Sequence, residues 1–255
     1  MKKLTTPKDK WAFYQTLIDS VSKTALVADY FAGRHWLLIK SDQGGIGLAH
    51  CINVDSKPIG ALASIPILGQ RLCDLSKLVC SWDLSLASVG LAAINASLTV
   101  DFQSGNFDSK LQHGNAFDLF QQNVKGRKVA VIGHFPHLDK LSSLALRFTI
   151  FERQPLAGDL PDMASEYLLP EQDVVFMTGS SIINKTAPRL LELARNAETY
   201  LVGPSVPLCP ELFQYGIKVL SGTIALDYDS LAKDVETCGT IHFNKTLTKQ
   251  VNLIG

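Results

Sequence analysis

The sequence lacks long apolar runs, a surplus of either charge and any CxxC pair of cysteines. Its most apolar stretches, 61–68 and 84–100, are interrupted by polar residues, Pro or Gly, so we expect no membrane-spanning helix. No apolar segment follows the N-terminal lysines, which argues against a secretory signal. The five cysteines show no metal-binding spacing and are typical of reduced thiols in a cytoplasmic protein.

Composition and missing motifs exclude further classes of protein. The 24 Lys and Arg residues are balanced by 24 Asp and Glu residues, and a neutral chain is not expected to have nucleic acid as its main partner. Hydrophobic residues make up 46% and charged residues 19%, which excludes a disordered chain. The sequence contains no GxSxG, HExxH or protein-kinase motif set.

The chain after residue 125 alternates between short apolar runs and amphipathic segments. Near-continuous apolar runs such as KVAVIG at 128–133 are typical of strands that are buried on both faces. Alternation with helices predicts a parallel sheet with right-handed crossovers, and hence a Rossmann-like, doubly wound domain over 125–255. The predicted strands are 128–133, 148–152, 173–179, 199–203 and 218–226, and the predicted helices are 138–146, 162–169, 187–197, 209–215 and 229–236.

The first half, residues 1–124, predicts a small α+β domain in which a meander of strands packs on its own helices. Residues 101–124 are rich in Gln, Asn, Gly and Ser and show little periodicity, so we predict that they form the linker between the domains. The predicted helices are 8–22, 72–80 and 84–98, and the predicted strands are 24–31, 35–40 and 46–53.

Polar side chains and glycines follow four of the predicted parallel strands. Ligands in open α/β sheets bind at the carboxyl ends of the strands, so these residues are expected to meet in one site. The candidates are Gly133, His134, Phe135 and Pro136 after the first strand, Glu152 and Asp159 after the second, Thr178, Gly179, Ser180 and Asn184 after the third, and Gly203, Pro204 and Ser205 after the fourth.

Glu152 lies about 20 residues after Gly133, where an acid in a Rossmann fold binds ribose hydroxyls. This spacing favours a nucleoside-bearing ligand such as S-adenosylmethionine or a dinucleotide. The turn Gly133-His134-Phe135-Pro136 lacks the second glycine that a pyrophosphate requires, which argues against an NAD or FAD enzyme. The alternative is that Glu152 forms a structural ion pair with a nearby Arg or Lys.

His134 and His137 form an HxxH pair that could share a metal ion, with a carboxylate as a further ligand. Pro136 prevents a regular helix through them, so the two histidines cannot be placed on one helix face by their i, i+3 spacing. The alternative is that both histidines are loop residues that hydrogen-bond to the backbone.

Several polar residues have both a structural and a functional interpretation. Ser180 and Ser181 either contact a ligand or cap a turn, and Thr186 is predicted to be the N-cap of the helix at 187–197. Asn95, on an apolar helix face, is either a buried polar anchor or a contribution of the first domain to a cleft. The turn Gly44–Gly47 is either a hairpin turn or a weak candidate for ligand contact.

The chain resembles a known family in several motifs that occur in the same order. These are GLAAINA at 90–96, VIGHFP at 131–136, FER-x-P with GD-x-PD within 151–162, DVVFMTGSSIINKT at 173–186 and LVGPS-x-P at 201–207. They are similar to the "putative heavy-metal chelation" domain family. The resemblance implies an enolase N-terminal-like domain followed by a Rossmann-like domain, with a small-molecule site in the cleft between them.

The resemblance further implies chemistry on a pterin-, flavin- or siderophore-like molecule, by condensation or hydrolysis. Together with the strand-end carboxylates it gives the first hypothesis, an enzyme with Glu152 or Asp159 as general acid or base and ligand contacts that include Asn95. The second hypothesis is a non-enzymatic protein that binds a divalent or ferric metal ion, or a metal complex, through His134, His137 and a carboxylate. A neutral and moderately apolar chain is compatible with a homodimer and does not require one.

Overall fold

The computed structural model describes residues 10–52, 65–103, 111–136 and 138–255. The first of its two α/β regions is a three-stranded antiparallel sheet, in the order β1-β2-β3, that packs against a long helix. Its elements are α1 (Trp11–Asp19), β1 (Val27–Ala32), β2 (Trp36–Ser41), β3 (Ile46–His50), α2 (Leu72–Leu75), a 3-10 helix (Ser76–Cys80) and α3 (Leu84–Gln103).

Glycines allow the helix α3 to lie directly against the small sheet. A Cβ atom on Gly47 would fall 1.9 Å from the Ala92 carbonyl oxygen, and one on Gly45 would fall 2.0 Å from the Ala96 carbonyl oxygen. No side chain fits at such distances, so both positions require glycine for packing. The Gly44–Gly47 turn is therefore accounted for by helix–sheet contact and does not line the cleft described below.

The second region is an eight-stranded sheet with helices and 3-10 turns between its strands. Its helices include the long C-terminal helix α9, which ends at a left-handed Gly239. The elements in chain order are β4 (Leu111–His113), α4 (Ala116–Leu119), a 3-10 helix (Gln121–Val124), β5 (Lys128–Ile132), α5 (Asp139–Leu144), β6 (Arg147–Glu152), β7 (Leu160–Pro161), a 3-10 helix (Asp162–Ala164), α6 (Ser165–Leu168), a 3-10 helix (Leu169–Glu171), β8 (Val174–Thr178), α7 (Ser180–Ile183), α8 (Ala187–Leu193), β9 (Glu198–Val202), a 3-10 helix (Pro210–Tyr215), β10 (Ile217–Ala225), α9 (Tyr228–Cys238) and β11 (Thr248–Ile254).

The strand order of the large sheet is that of a Rossmann fold. The sheet runs β4-β11-β10-β9-β8-β5-β6-β7, and the strands from β10 to β7 are parallel. If the six parallel strands are counted along the chain, their order is 3-2-1-4-5-6, the classic dinucleotide-fold order. The predicted fold class, a small α+β unit followed by a doubly wound parallel sheet, is confirmed.

The structure differs from the sequence predictions at several elements. The predicted linker contains β4, which pairs antiparallel with β11 at the edge of the large sheet. Neither strand was predicted, since β4 has three residues and β11 opens with the polar sequence TKQ. The predicted helix at 162–169 is divided between a 3-10 turn (Asp162–Ala164) and a four-residue α-helix (Ser165–Leu168), and the one at 209–215 is a 3-10 helix that begins at Pro210.

The C-terminal part of the chain packs on the small sheet. The strand β10 pairs with β9 as far as Ser221 and with β11 as far as Ala225, so its second half extends beyond the parallel strands. The helix α9 then buries Leu231 and Val235 in one apolar cluster with Leu38 and other side chains of the small sheet.

The predicted boundary between the two domains, between residues 124 and 125, stays a prediction. No helix of the described ranges has the length and apolarity to span a bilayer.

Candidate functional site

A cleft of about 1810 Å³ lies between the small sheet and the carboxyl ends of the parallel strands. It includes the point where the strand order reverses, between β5 and β8, which is where ligands bind in open α/β sheets. Most of the predicted site residues line this one cleft. They are Gly133, His134, Phe135, Pro136, Glu152, Thr178, Gly179, Ser180, Asn184, Gly203, Pro204 and Ser205.

The glycines at two strand ends have backbone conformations that favour glycine. Gly133 has a φ of 94° and Gly203 a φ of 116°, both in the left-handed region that L side chains rarely adopt. A Cβ on Gly133 would also lie 3.0 Å from Cγ2 of Thr178, across the switch point. These two residues keep the chain turns after β5 and β9 close to the parallel strands and free of side chains.

His134 faces a buried carboxylate. Its Nδ1 lies 3.5 Å from Oδ2 of Asp159, whose side chain is 5% exposed against 42% for His134. The backbone N–H of Leu156 donates to the same Oδ2 at 2.9 Å, which helps to orient the carboxylate. Asp159 was predicted to act on a ligand directly. The structure places it outside the cleft lining, beside the His134 imidazole, which does line the cleft.

Glu152 ends β6 and lines the cleft. Its Oε1 accepts a hydrogen bond from the backbone N–H of Arg153 at 2.7 Å. The guanidinium of Arg153 lies near Asp162 instead, with Nε 3.5 Å from Oδ2. Within the described ranges, Glu152 forms no ion pair, so this geometry favours the ligand-binding interpretation over the structural one.

The polar residues after β8 divide into a cleft-lining set and a turn-forming set. Ser181 is buried and donates from Oγ to the Thr178 carbonyl at 2.7 Å, which is the turn-capping interpretation. Asn184 lines the cleft, and its Oδ1 accepts from the Thr186 backbone N–H at 3.1 Å and from the Thr186 hydroxyl at 2.6 Å. Thr186 is the N-cap residue of α8, but its side chain makes no cap bond because the hydroxyl donates to Asn184.

Asn95 connects the two α/β regions and lies outside the cleft lining. Its Nδ2 donates to the Leu48 carbonyl at 2.7 Å and to the Ser205 carbonyl at 3.2 Å. Its buried Oδ1 has no hydrogen-bond partner within the part of the chain that the structure describes. Ser205 is tied to the small sheet a second time, since its Oγ accepts from the His50 backbone N–H at 2.9 Å. The geometry favours the anchor interpretation of Asn95.

The small sheet contributes a wall to the cleft that was not predicted. Arg34, His35 and Trp36, at the tip of the β1–β2 hairpin, line it together with His50 and Phe243. The imidazoles of His35 and His50 lie nearly parallel, with ring centroids 6.4 Å apart, and Trp36 packs edge-on against His50. Burial, and then the neighbouring His35, lower the pKa of His50. A basic and aromatic cluster in the short GRHW turn was the available signal.

The cleft lining also includes an arginine that is held by two carboxylates and that was not predicted. The Arg189 guanidinium donates to Glu166 through Nε and a terminal nitrogen, at 3.0 and 2.6 Å, and to Glu192 at 2.8 Å. Arg189 and Glu166 line the cleft. Both are separated in sequence from the strand ends, so strand-end reasoning could not find them.

The described residues do not fit a directly bound heavy-metal ion. No group of three or more His, Cys, Asp or Glu side chains suited to a metal occurs among them. Burial raises the pKa of the Cys51 thiol to about 12. Burial is also the main cause that raises the pKa of the Cys209 thiol to about 12. Soft metals bind the thiolate form, which these two thiols do not readily supply. His134 has Asp159 beside it, and His137 lies outside the described residues.

Three relatives resemble the chain in sequence or structure. The uncharacterized protein MJ0500 of Methanocaldococcus jannaschii is 31% identical over 169 residues, which are 64% of this chain and 63% of that protein. A DUF364-family protein of unknown function from Desulfitobacterium hafniense is 34% identical, with a TM-score of 0.84 over 96% of this chain and 99% of that one. Its Pyrococcus horikoshii counterpart shares the fold at 19% identity, with a TM-score of 0.79 over the same shares of the two chains.

Family profiles match both halves of the chain. Residues 14–98 match the DUF4213 profile and residues 115–254 match the DUF364 profile, and each profile carries the description "putative heavy-metal chelation". The second match alone spans more than half of the sequence, and it contains the six parallel strands and most of the residues that line the cleft. The chain belongs to the DUF364 family of "putative heavy-metal chelation" proteins.

Proposed function

We propose that this protein is an enzyme that binds a small nucleoside-bearing molecule in the cleft, with Glu152 as the hydroxyl-binding residue and His134 as the general acid or base. The observation that carries the proposal is the position of Glu152 at the end of the second parallel strand, beside the Gly133 turn of the first. In a sheet of this order, that position is where an acid binds ribose hydroxyls.

The surroundings of Glu152 support this role. Arg153 pairs with Asp162, and the charge of Glu152 is left for a partner that enters the cleft. A carboxylate is an acceptor with two oxygens, so it can receive both hydroxyls of a ribose ring. The neighbouring turn after β5 carries Phe135, whose ring lies edge-on to Phe117 at 5.2 Å between centroids, and both rings line the cleft. An aromatic wall of this kind suits the flat base of a nucleoside.

The pairing of His134 with Asp159 supports acid–base chemistry. A carboxylate beside Nδ1 fixes the orientation of the ring and favours the tautomer with the proton on Nδ1. The other ring nitrogen is then able to accept a proton from a bound molecule and to return it later. Asp159 acts through His134 in this scheme and is a positioning residue. The 3.5 Å separation is long for a hydrogen bond, as is common for catalytic pairs without substrate.

The family description suggests a metal-binding alternative, and the described donors support it less well. The thiols are dispersed, and two of them are held in the protonated form by burial. A metal-containing organic compound remains compatible with the cleft as a substrate, because its recognition would depend on the organic part.

The proposal is tested by calorimetric titration with S-adenosylmethionine, S-adenosylhomocysteine, adenosine and NAD. We expect at least one of the adenosine compounds to bind, and Glu152→Gln to weaken that binding roughly 10- to 100-fold, the range for a lost charge-assisted hydrogen bond. The matched control is Glu171→Gln, a change at an exposed carboxylate outside the cleft lining. Equal affinity in the Glu152 and Glu171 variants, or no binding of any of the four compounds, would contradict the proposal.

A further inference from the structure

The corner between α7 and α8 contains an unusual backbone conformation. Lys185 has a φ of 68°, and it is the single non-glycine residue with a positive φ within the described ranges. A side chain with a Cβ atom is strained there, and such strain persists where the surroundings hold it in place. The two flanking residues, Asn184 and Thr186, both line the cleft, whereas Lys185 does not.

The Lys185 side chain turns towards the first region of the molecule. Its Nζ donates to the Ile183 carbonyl at 2.6 Å, at the end of α7, and lies 5.9 Å from the centroid of the Tyr14 ring in α1. The Tyr14 hydroxyl in turn donates to the Ile182 carbonyl at 3.1 Å. The last carbonyls of α7 are therefore bound by one cation and one hydroxyl, and both bonds fix the position at which the corner begins.

Lys185 also carries an electrostatic cost. Burial lowers the pKa of its amine to about 8, although the nearby Cys80 acts in the opposite direction. The residue thus combines an unfavourable backbone conformation with a desolvated ammonium. Glycine at this position would avoid both costs. Their coincidence one residue from Asn184 indicates that the side chain serves the cleft.

We propose that Lys185 is a positioning residue, whose ammonium holds the corner in the conformation in which Asn184 and Thr186 line the cleft. The charged amine binds Ile183 and rests on Tyr14, and this contact maintains the left-handed turn. Within that turn, the Thr186 N–H and hydroxyl bind Asn184 and orient its amide. The effect of Lys185 on ligand affinity rests on the function proposed above, while its effect on the corner does not.

A dependence on pH follows from the surroundings of the amine. The titratable groups that face it are Tyr14 from α1 and Cys80 from the 3-10 helix before α3. Burial raises the pKa of both groups. In addition, Cys80 slightly raises the pKa of Tyr14, and Lys185 slightly lowers the pKa of Cys80. Deprotonation near pH 8 is therefore that of Lys185, and the corner should loosen as the pH rises through that value.

The test is the hydrogen-exchange rate of the Thr186 amide, measured by NMR in the full chain and corrected for the intrinsic effect of pH. We expect Lys185→Met to reduce protection of this amide at least about 10-fold at pH 7 while the melting temperature stays the same or rises, because the desolvated charge is gone. Lys185→Arg should retain the protection at pH 7 and at pH 9.5, whereas the wild type should lose it at the higher pH. Lys140→Met, at an exposed lysine, is the matched control.

Two results would overturn the proposal. The first is equal protection of the Thr186 amide in Lys185→Met and the wild type. The second is a lower melting temperature with loss of protection throughout the chain, which would make Lys185 an anchor of the whole fold. Titration with the four compounds named above separates this proposal from the nucleoside function. If neither the wild type nor any variant binds one of them, the nucleoside function fails and the exchange data still decide the role of Lys185.

Discussion

Acidic side chains at the two ends of the parallel sheet differ in their partners. At the amino end, Glu198 lies 3.2 Å from Arg127 and 2.8 Å from Lys218, and it accepts a hydrogen bond from the Tyr200 hydroxyl at 3.0 Å. At the carboxyl end, Glu152 bonds to the adjacent backbone N–H and otherwise faces a large cleft. Polar groups that satisfy one another stabilise a fold, whereas groups left facing a cavity are available to a ligand.

The small sheet adds to this difference because it covers the carboxyl end. Asn95, Ser205 and His50 link the two regions through hydrogen bonds to one another and to the Leu48 carbonyl. Tyr14 makes a further link, to Ile182. These bonds join the two regions that form the walls of the cleft. The cleft is thus a product of both regions, and neither sequence half contains it alone.

The largest expected effect is at the amino end. Glu198→Gln should lower the free energy of unfolding by about 2 kcal/mol, because Arg127 and Lys218 would lose the partly exposed carboxylate that they share. Ligand affinity should stay unchanged, since Glu198 is at the opposite end of the sheet. Urea denaturation measures the first quantity and calorimetric titration the second. Glu152→Gln is the paired variant, with stability expected within about 0.5 kcal/mol of wild type. If Glu152→Gln were the more destabilising of the two, the roles assigned to the two ends would be wrong.

A smaller effect is expected on acidification. Burial alone would raise the pKa of Glu198, but the hydrogen bonds from Lys218 and Tyr200 and the charge of Arg127 outweigh it and lower the pKa to about 2. The folded state therefore holds this proton less tightly than the unfolded state, and the stabilisation is complete above the ordinary pKa of 4.5. It should be lost as the pH falls from about 4.5 to about 2, by roughly 1–2 kcal/mol after solvent screening. Denaturation curves at several pH values should show a steeper acid loss in the wild type than in Glu198→Gln, and parallel curves would refute the assignment.

Local sequence patterns were sufficient for five of the six parallel strands, and the two-residue β7 was not predicted. The run KVAVI at 128–132 is apolar and β-branched, and a strand buried on both faces requires that composition. The polar residues that follow the strands then fall together because parallel strands end at one edge. This reasoning brought Gly133, Glu152 and Thr178 into one cleft without any knowledge of tertiary contacts.

Long-range contacts account for what the sequence did not reveal. The strand β4 has three residues, and it becomes a strand because β11 offers it a partner. Arg189 enters the cleft through the packing of distant elements, and no local pattern distinguishes it from a solvated residue. Asp159 lies beside His134 and outside the cleft lining, and its carboxylate accepts a hydrogen bond from the Leu156 N–H in its own loop.

The smallest expected effect is that of metal ions. Zn, Ni, Co and ferric ions should each change the melting temperature by less than about 1 °C, because the described residues provide no cluster of three ligands. Thermal denaturation with each ion, with the chelated ion as the control, measures this shift. A shift of several degrees would contradict the expectation.

The variants His134→Ala and His137→Ala would then show where such an ion binds. A shift that both variants abolish would place the metal at the HxxH pair, and His134 would be a ligand held by Asp159 rather than an acid or base. A shift that survives in both would place it outside the pair, and the acid–base role of His134 would stand. The same imidazole cannot serve both purposes at once, because a metal ion occupies the nitrogen that would carry the proton.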